Sequence, residues 1–185
     1  MTTYYYTASS LDGFIATPDH SLDWLLSRSI DEAGPMHYSA FERTIGAIAM
    51  GASTYAWLLA HGGREKWPYE QPVWVFTHRA LEVPAGADVR AVEGDVVPVH
   101  REMTAAAEEL GIWVMGGGEL AGRFADAGLL DEVWVQFAPV TLGAGSPLLP
   151  RALELELVES ARNVDFSCVR YRVPSGRAAA DRLPG

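Results

Sequence analysis

The sequence predicts an α/β fold: one mixed sheet with helices on both faces and an antiparallel C-terminal end. Strand-like apolar runs alternate with helix-like stretches along most of the chain. The last two runs, Glu154 to Arg162 and Phe166 to Val173, are joined only by a short turn at Asn163. Two strands linked so tightly cannot run parallel.

The elements follow in order. Thr3 to Ala8 is aromatic-rich and reads as a strand. Ser9 to Leu22 reads as a loop, with Asp12-Gly13 and Pro18-Asp19 as turn signals. Asp31 to Thr44 reads as a helix with Pro35 near its first turn, Met36, Ala40, Phe41 and Thr44 on one face, and His37 one turn before Phe41. Ala47 to Met50 is a short buried strand, and after Gly51 a helix runs from Ser53 to Ala60, with Ser53 or Thr54 as cap. His61 to Gln71 is a loop; Val73 to Thr77 and Asp88 to Val92 are strands. Val99 to Leu110 is an amphipathic helix closed by Gly111 as its C′ residue. Ile112 to Met115 is a strand, Glu119 to Ala127 a helix, Glu132 to Ala138 a strand, and Thr141 to Pro150 a glycine- and proline-rich loop. The expected organisation is one domain over 1–173 and a weakly structured tail over 174–185.

A chain of 185 residues is long enough to bury an ample core. Its formal charge of −10 disfavours a general nucleic-acid or anionic-membrane surface. Cys168 is the single cysteine, so an internal disulfide and a cysteine-rich metal site are excluded, and the thiol reads as buried and inert. His20, His61 and His100 lack metal-ligand spacing, so no metal is expected. No apolar run has membrane-spanning length, and the N-terminus lacks a signal-peptide pattern. A reducing cytoplasm fits these features.

The most informative stretch is Trp113-Val114-Met115-Gly116-Gly117-Gly118-Glu119-Leu120. Residues without Cβ let the backbone approach a ligand closely. The helix start behind them offers free N–H groups and partial positive charge, which suits a phosphate or pyrophosphate. Gly116-x-Gly118-x-x-Ala121 also fits the dinucleotide fingerprint, but the next strand ends in Gln136-Phe137-Ala138-Pro139 with no acid for a ribose, so a standard Rossmann unit is not expected. Ile48-Ala49-Met50-Gly51-Ala52-Ser53-Thr54 repeats the strand–glycine–helix logic. A third strand ends in Thr77-His78-Arg79, where Arg79 can fork onto a phosphate. A further phosphate on the adenosine side favours NADPH over NADH.

These motifs carry a resemblance. Ser10-Leu11-Asp12-Gly13-Phe14-Ile15-Ala16, Asp23-Trp24-Leu25, Met50-Gly51-Ala52-Ser53-Thr54-Tyr55, Val75-Phe76-Thr77-His78-Arg79, Met115-Gly116-Gly117-Gly118-Glu119-Leu120 and Pro139-Val140-Thr141-Leu142-Gly143-Ala144-Gly145-Ser146-Pro147-Leu148 occur in order. Together they resemble the dihydrofolate reductase superfamily, in the branch similar to the reductase domain of the bifunctional riboflavin-biosynthesis deaminase/reductase. The resemblance spans Thr3 to Val173. It implies a mostly parallel sheet of about eight strands, with NADPH across the strand ends.

It also implies residue roles. Ala8, Ile15 and Ala16 would lie near the nicotinamide, the first two through backbone groups to its carboxamide. Gly51, Ser53 and Thr54 would hold the phosphate region, Gly116, Gly117, Gly118, Glu119 and Leu120 the pyrophosphate, and Thr77, His78 and Arg79 the 2′-phosphate. Leu11, Asp12, Trp24, His37 and Phe41 would border the substrate. A homodimer is the implied state, with Trp134 and Phe166 as either interface or core. Where a true dihydrofolate reductase carries its pterin-binding carboxylate, this chain has Met36-His37-Tyr38, which points away from dihydrofolate. No zinc-deaminase motif occurs.

The expected activity is NADPH-dependent hydride transfer to a small planar or heteroaromatic substrate, with the proton from water, Asp12 or His37. The reading from another class is a non-catalytic ligand-binding protein on the same fold. Whether Trp24, His37 and Phe41 share an open cavity separates the two.

Overall fold

The computed structural model describes residues 1–174. Beyond Pro174, the expected tail lies outside the described residues. In chain order the elements are β1 (Thr3–Ser10), β2 (Phe14–Ala16), α1 (Asp23–Leu26), α2 (Tyr38–Glu42), β3 (Ile45–Gly51) and α3 (Ala52–Leu58), which runs on into a wide turn over Leu59–Gly63. Next come β4 (Val73–Phe76), β5 (Val89–Val92), α4 (Val96–Ala107), β6 (Gly111–Gly116), α5 (Gly118–Asp126) and β7 (Glu132–Ala138). The short β8 (Ser146–Pro147) precedes β9 (Glu156–Asn163) and β10 (Phe166–Arg172).

Eight strands form one sheet in the order β5-β4-β3-β6-β1-β7-β10-β9. Every pairing from β5 to β7 is parallel. β10 runs antiparallel to both β7 and β9, as the tight turn at Asn163 requires. Strands buried on both faces read as continuous apolar runs, and Val73, Trp74, Val75 and Phe76 are all buried. β9 is the sheet edge, and its residues from Glu156 to Ser160 are exposed. β2 and β8 form a separate antiparallel ribbon.

The core lies on both faces of the sheet. On one, Val99 and Met103 of α4 and Leu120 and Phe124 of α5 cover Tyr5, Trp74, Val114 and Val133. On the other, Phe41 of α2 and Tyr55 of α3 cover Tyr6, Ile48, Val75 and Trp113. Phe41 stacks on Tyr6 with centroids 4.4 Å apart and meets Trp113 edge-on at 5.5 Å. Such aromatic pairs contribute about 0.5–1.5 kcal/mol each beyond their buried area. Phe166 is core, packed with Ala138 and Cys168. Cys168 is buried, as expected.

Several element boundaries differ from the sequence reading. The helix expected from Asp31 to Thr44 is only Tyr38–Glu42. Met36 has a φ of 54°, which breaks any helix there. Upstream, the Asn163 side chain accepts from Asp31 N and donates to the carbonyls of Asp31 and Pro35, pinning the segment as a loop. Helix α4 starts at Val96 rather than Val99: Asp95 caps it by accepting from Val97 N, and Pro98 falls in the first turn, where a missing N–H is tolerated. It ends at Glu108, whose φ is 55°, so Gly111 opens β6 rather than closing the helix. A Cβ on Gly111 would lie 2.6 Å from the Tyr4 ring, which explains the glycine. The loop expected from Ser9 to Leu22 contains the end of β1 and all of β2.

Gly118 is fixed by packing. A Cβ there would collide with the backbone carbonyl oxygens of Pro147 and Leu148. Gly118→Ala therefore forces the 147–148 segment outward and should cost about 2 kcal/mol, the usual scale of overpacking. Calorimetry should show a melting temperature about 4–8 °C lower. An unchanged melting temperature would contradict this packing.

Candidate functional site

Because six neighbouring strands are parallel, the carboxyl ends of β1, β3, β4 and β6 lie along one edge. From β3 the chain passes through α3 to β4 on one side, and from β6 it passes through α5 to β7 on the other. Connections that diverge in this way leave a crevice between the two strands, where ligands of open α/β sheets bind. α3 packs on one face of the sheet and α5 on the opposite face.

Both helices begin at this crevice on glycine. The N-cap of α3 is Gly51 and that of α5 is Gly117, and neither helix has a side-chain cap. Ser53 and Thr54, expected as possible caps, do not cap α3. The first-turn N–H groups of both helices therefore have no intrahelical or side-chain acceptor. The two starts adjoin: a Cβ built on Gly51 would lie 3.7 Å from Gly116 O and 3.8 Å from Gly117 N. One on Gly116, whose φ is 147°, would lie 3.6 Å from Thr54 Oγ1, and one on Gly117 would lie 3.7 Å from Ile15 Cδ1. Ile15, Gly51, Thr54, Gly116 and Gly117, read as cofactor residues from sequence, thus surround one point.

The remaining cofactor candidates divide. Arg79 is exposed and shares a cavity of about 530 Å³ with Ser53. Thr77 Oγ1 accepts from Arg79 N at 3.1 Å, fixing that turn. His78 instead faces Glu93, with Nδ1 2.9 Å from its carboxylate. Leu120 is buried in the core, which leaves only its backbone for a ligand. The Glu119 carboxylate is engaged by Arg151 at 2.6 Å, and this bond holds its pKa below the ordinary range. Ala8 is half-buried near the carboxyl end of β1, and Ala16 pairs with Ser146 in the small ribbon.

The substrate and proton-donor candidates do not converge. Leu11 is 70% exposed. Trp24 packs against Ala138, Phe166 and Cys168, and its Nε1 has no hydrogen-bond partner. His37 caps α2, its Nδ1 accepting from Ser39 N at 3.2 Å. With Phe41 it lines a second cavity of about 340 Å³ that also includes Trp134, Glu159 and Arg170. Trp24 lines neither cavity. Asp12 accepts from the Ser10 hydroxyl at 2.6 Å, from Leu142 N at 3.0 Å and from Gly143 N at 2.7 Å. The Ser10 hydroxyl first, and then the Leu142 amide, push its carboxyl down to about 2. Asp12 therefore ties the 141–143 turn to the end of β1 as an ionised anchor.

One polar cluster escaped the sequence reading. Tyr38 donates to Glu42 Oε1 at 2.8 Å, and the Tyr69 hydroxyl lies 3.8 Å from Met115 Sδ, just before the glycine run. Burial pushes the Tyr69 phenol up to about 12, against a lowering contact from Tyr38. Burial, then the neighbouring Tyr69 and Glu42, raise Tyr38 still further. The Tyr38/Glu42 spacing of one helical turn was visible in the sequence; Tyr69 sits in a loop with no periodic signal. Among the described residues, no group of His, Cys, Asp and Glu is arranged to hold a metal, and no helix is long and apolar enough to cross a membrane.

A family model described as the RibD C-terminal domain matches residues 3–166. The chain belongs to this family, and its topology is that of dihydrofolate reductase. It is 31% identical over 152 residues to the uncharacterized protein YwjB of Bacillus subtilis, covering 79% of this chain and 81% of that one. A putative riboflavin biosynthesis protein from Shewanella sp. PV-4 superposes with a TM-score of 0.79 at 28% identity, covering 94% and 99% of the two chains. Enterococcus faecalis dihydrofolate reductase, solved with NADP(H), shares the fold at a TM-score of 0.57 and 15% identity, covering 92% and 94%.

The Asp12 anchor has a pH signature. Its folded pKa is depressed, so its contribution is complete above about pH 4 and is lost as the pH falls toward about 2. Amide exchange at Leu142 and Gly143 should be slow at pH 6 and roughly tenfold faster in Asp12→Ala. Equal rates in both proteins would rule out the anchor.

Proposed function

We propose that this protein is an NADPH-dependent reductase of a small, planar or heteroaromatic substrate. The observation that carries the reading is the meeting of two helix N-termini without side-chain caps at the β3–β6 crevice. Such a pair of N-termini suits a pyrophosphate, because both the free N–H groups and the helix dipoles favour negative charge. In this reading Gly51, Ser53 and Thr54 with Gly116, Gly117, Gly118, Glu119 and Leu120 hold the pyrophosphate, the last two through backbone groups. Thr77, His78 and Arg79 take the 2′-phosphate. Ala8, Ile15 and Ala16 border the nicotinamide, and the bound cofactor supplies the hydride.

Among the proton sources, water is favoured. Asp12 is held ionised by its loop contacts, and His37 opens onto the cavity beside α2. In this reading Leu11, in the turn after β1, Trp24 of α1 and Phe41 of α2 border the substrate. The same reading takes the protein as a homodimer, as its family resemblance implies, and as cytoplasmic, as its sequence features suggest.

A second reading has one observation in its favour. Trp24, His37 and Phe41 share no open cavity, and Phe41 is covered by Tyr6. A protein that binds a nucleotide or small molecule without turnover would show the same filling.

Titration with NADPH and with NADH, followed by thermal unfolding, tests the cofactor site. At a hundredfold excess over Kd, NADPH should raise the melting temperature by about 5–10 °C. NADH should give a smaller shift, and Arg79→Ala should remove the difference. No shift with either nucleotide would overturn the reductase reading.

A further inference from the structure

The cavity beside α2, about 340 Å³, lies over the C-terminal half of the sheet. Its lining comes from β1, β7, β10 and β9 through Tyr4, Trp134, Arg170 and Glu159, and from α2 and the residues next to it. The cofactor crevice lies between β3 and β6, on the other side of β1. Tyr4 precedes Ala8 by four residues on β1, about 13 Å down the strand. A ligand here is out of reach of the nicotinamide end, so the cavity is a second site.

Three aromatic rings form its base. Tyr4 meets Phe41 edge-on at 5.5 Å and Trp134 edge-on at 6.0 Å. Phe41 also meets Trp113 of β6 at 5.5 Å, so its ring separates this cavity from the crevice side of α2. Met36, Ala40 and Thr44 close the cavity along α2. A flat ring buries its faces against such walls, and the volume is that of a small-molecule pocket.

One polar group enters from a buried residue. His37 is 7% exposed, and its Nδ1 accepts from Ser39 N at 3.2 Å as the cap of α2. An imidazole that accepts at Nδ1 carries its proton on Nε2. Nε2 lies on the far side of the ring from that cap, and among the described residues it has no hydrogen-bond partner. A donor so placed in a cavity calls for an acceptor on the ligand.

The charges of the lining are already matched. Arg170 donates to both oxygens of Glu132 at 2.9 Å and lies over the Trp134 ring at 5.0 Å. Glu159, opposite Arg170 in register, is exposed at the rim. An anionic ligand would find no free cation here, and a cationic one would meet Arg170 across Trp134.

We propose that this cavity is a second ligand site, for an uncharged planar aromatic compound whose ring carries a hydrogen-bond acceptor for His37 Nε2. The proposal does not rest on the reductase reading.

Quinoline, whose ring nitrogen is an acceptor, and naphthalene, the same shape without one, test it. Each is titrated into the protein at pH 7.5 with and without saturating NADP⁺, followed by saturation-transfer NMR. Quinoline should bind equally well in both conditions. His37→Asn keeps a capping oxygen for α2 and removes the Nε2 donor. It should weaken quinoline about fivefold and leave naphthalene unchanged. Ala40→Trp, at an exposed position that lines the cavity, should abolish quinoline binding at an unchanged melting temperature. Quinoline-6-carboxylate and 1-methylquinolinium should bind at least tenfold more weakly than quinoline. Failure of quinoline to bind, its displacement by NADP⁺, equal loss of both probes in His37→Asn, or binding that survives Ala40→Trp overturns the proposal.

Discussion

Parallel pairing of β3 with β6 sets Met50 opposite Gly116 and brings the two glycine turns against each other. The rest of the site depends on that contact. A side chain on Gly116 would face the Thr54 hydroxyl, and its φ of 147° favours glycine. Since α3 and α5 leave on opposite faces of the sheet, their N-termini approach one point from two directions. Neither spends its first-turn N–H groups on a side-chain cap. The sheet thus holds two partial positive charges side by side, and the proposed pyrophosphate site rests on them.

This arrangement needs support from segments far away in sequence. Leu148 N donates to Gly13 O at 2.8 Å, joining the 146–148 segment to the turn after β1. Asp12 holds the preceding turn through Leu142 and Gly143. Gly118 lets the same segment press against the start of α5. Ile15 is thereby carried to the glycine loop. Across the sheet, the stack of Tyr6 and Phe41 with Trp113 and Trp134 fixes α2 and fills the space beneath it. Arg170, 2.9 Å from the Glu132 carboxylate, continues that face toward the edge.

The sheet, its antiparallel end and the glycine turns were legible in the sequence because each rests on local pattern: apolar runs, strand ends and successive glycines. The segment around Met36 was not. Its pattern fits a helix, but Asn163 binds Asp31 and Pro35 from about 130 residues away and overrides it. Gly118 was legible as a glycine, but its packing role was not, since the backbone it accommodates, at Pro147 and Leu148, lies far along the chain. Ser53 and Thr54 stand in the first turn of α3, but neither caps it, because the N-cap position falls on Gly51. Tyr69 was illegible because its place beside Met115 depends on which loop the tertiary fold lays against the end of β6.

The central claim is that the N-termini of α3 and α5 jointly hold the cofactor's pyrophosphate. Backbone amide NMR of the protein with and without NADP⁺ tests it directly. The account predicts that the largest shifts fall together on Ala52, Ser53 and Thr54 and on Gly117, Gly118, Glu119 and Leu120, saturating at a single Kd. Shifts confined to one of the two helix starts, or centred on the cavity beside α2, would contradict it.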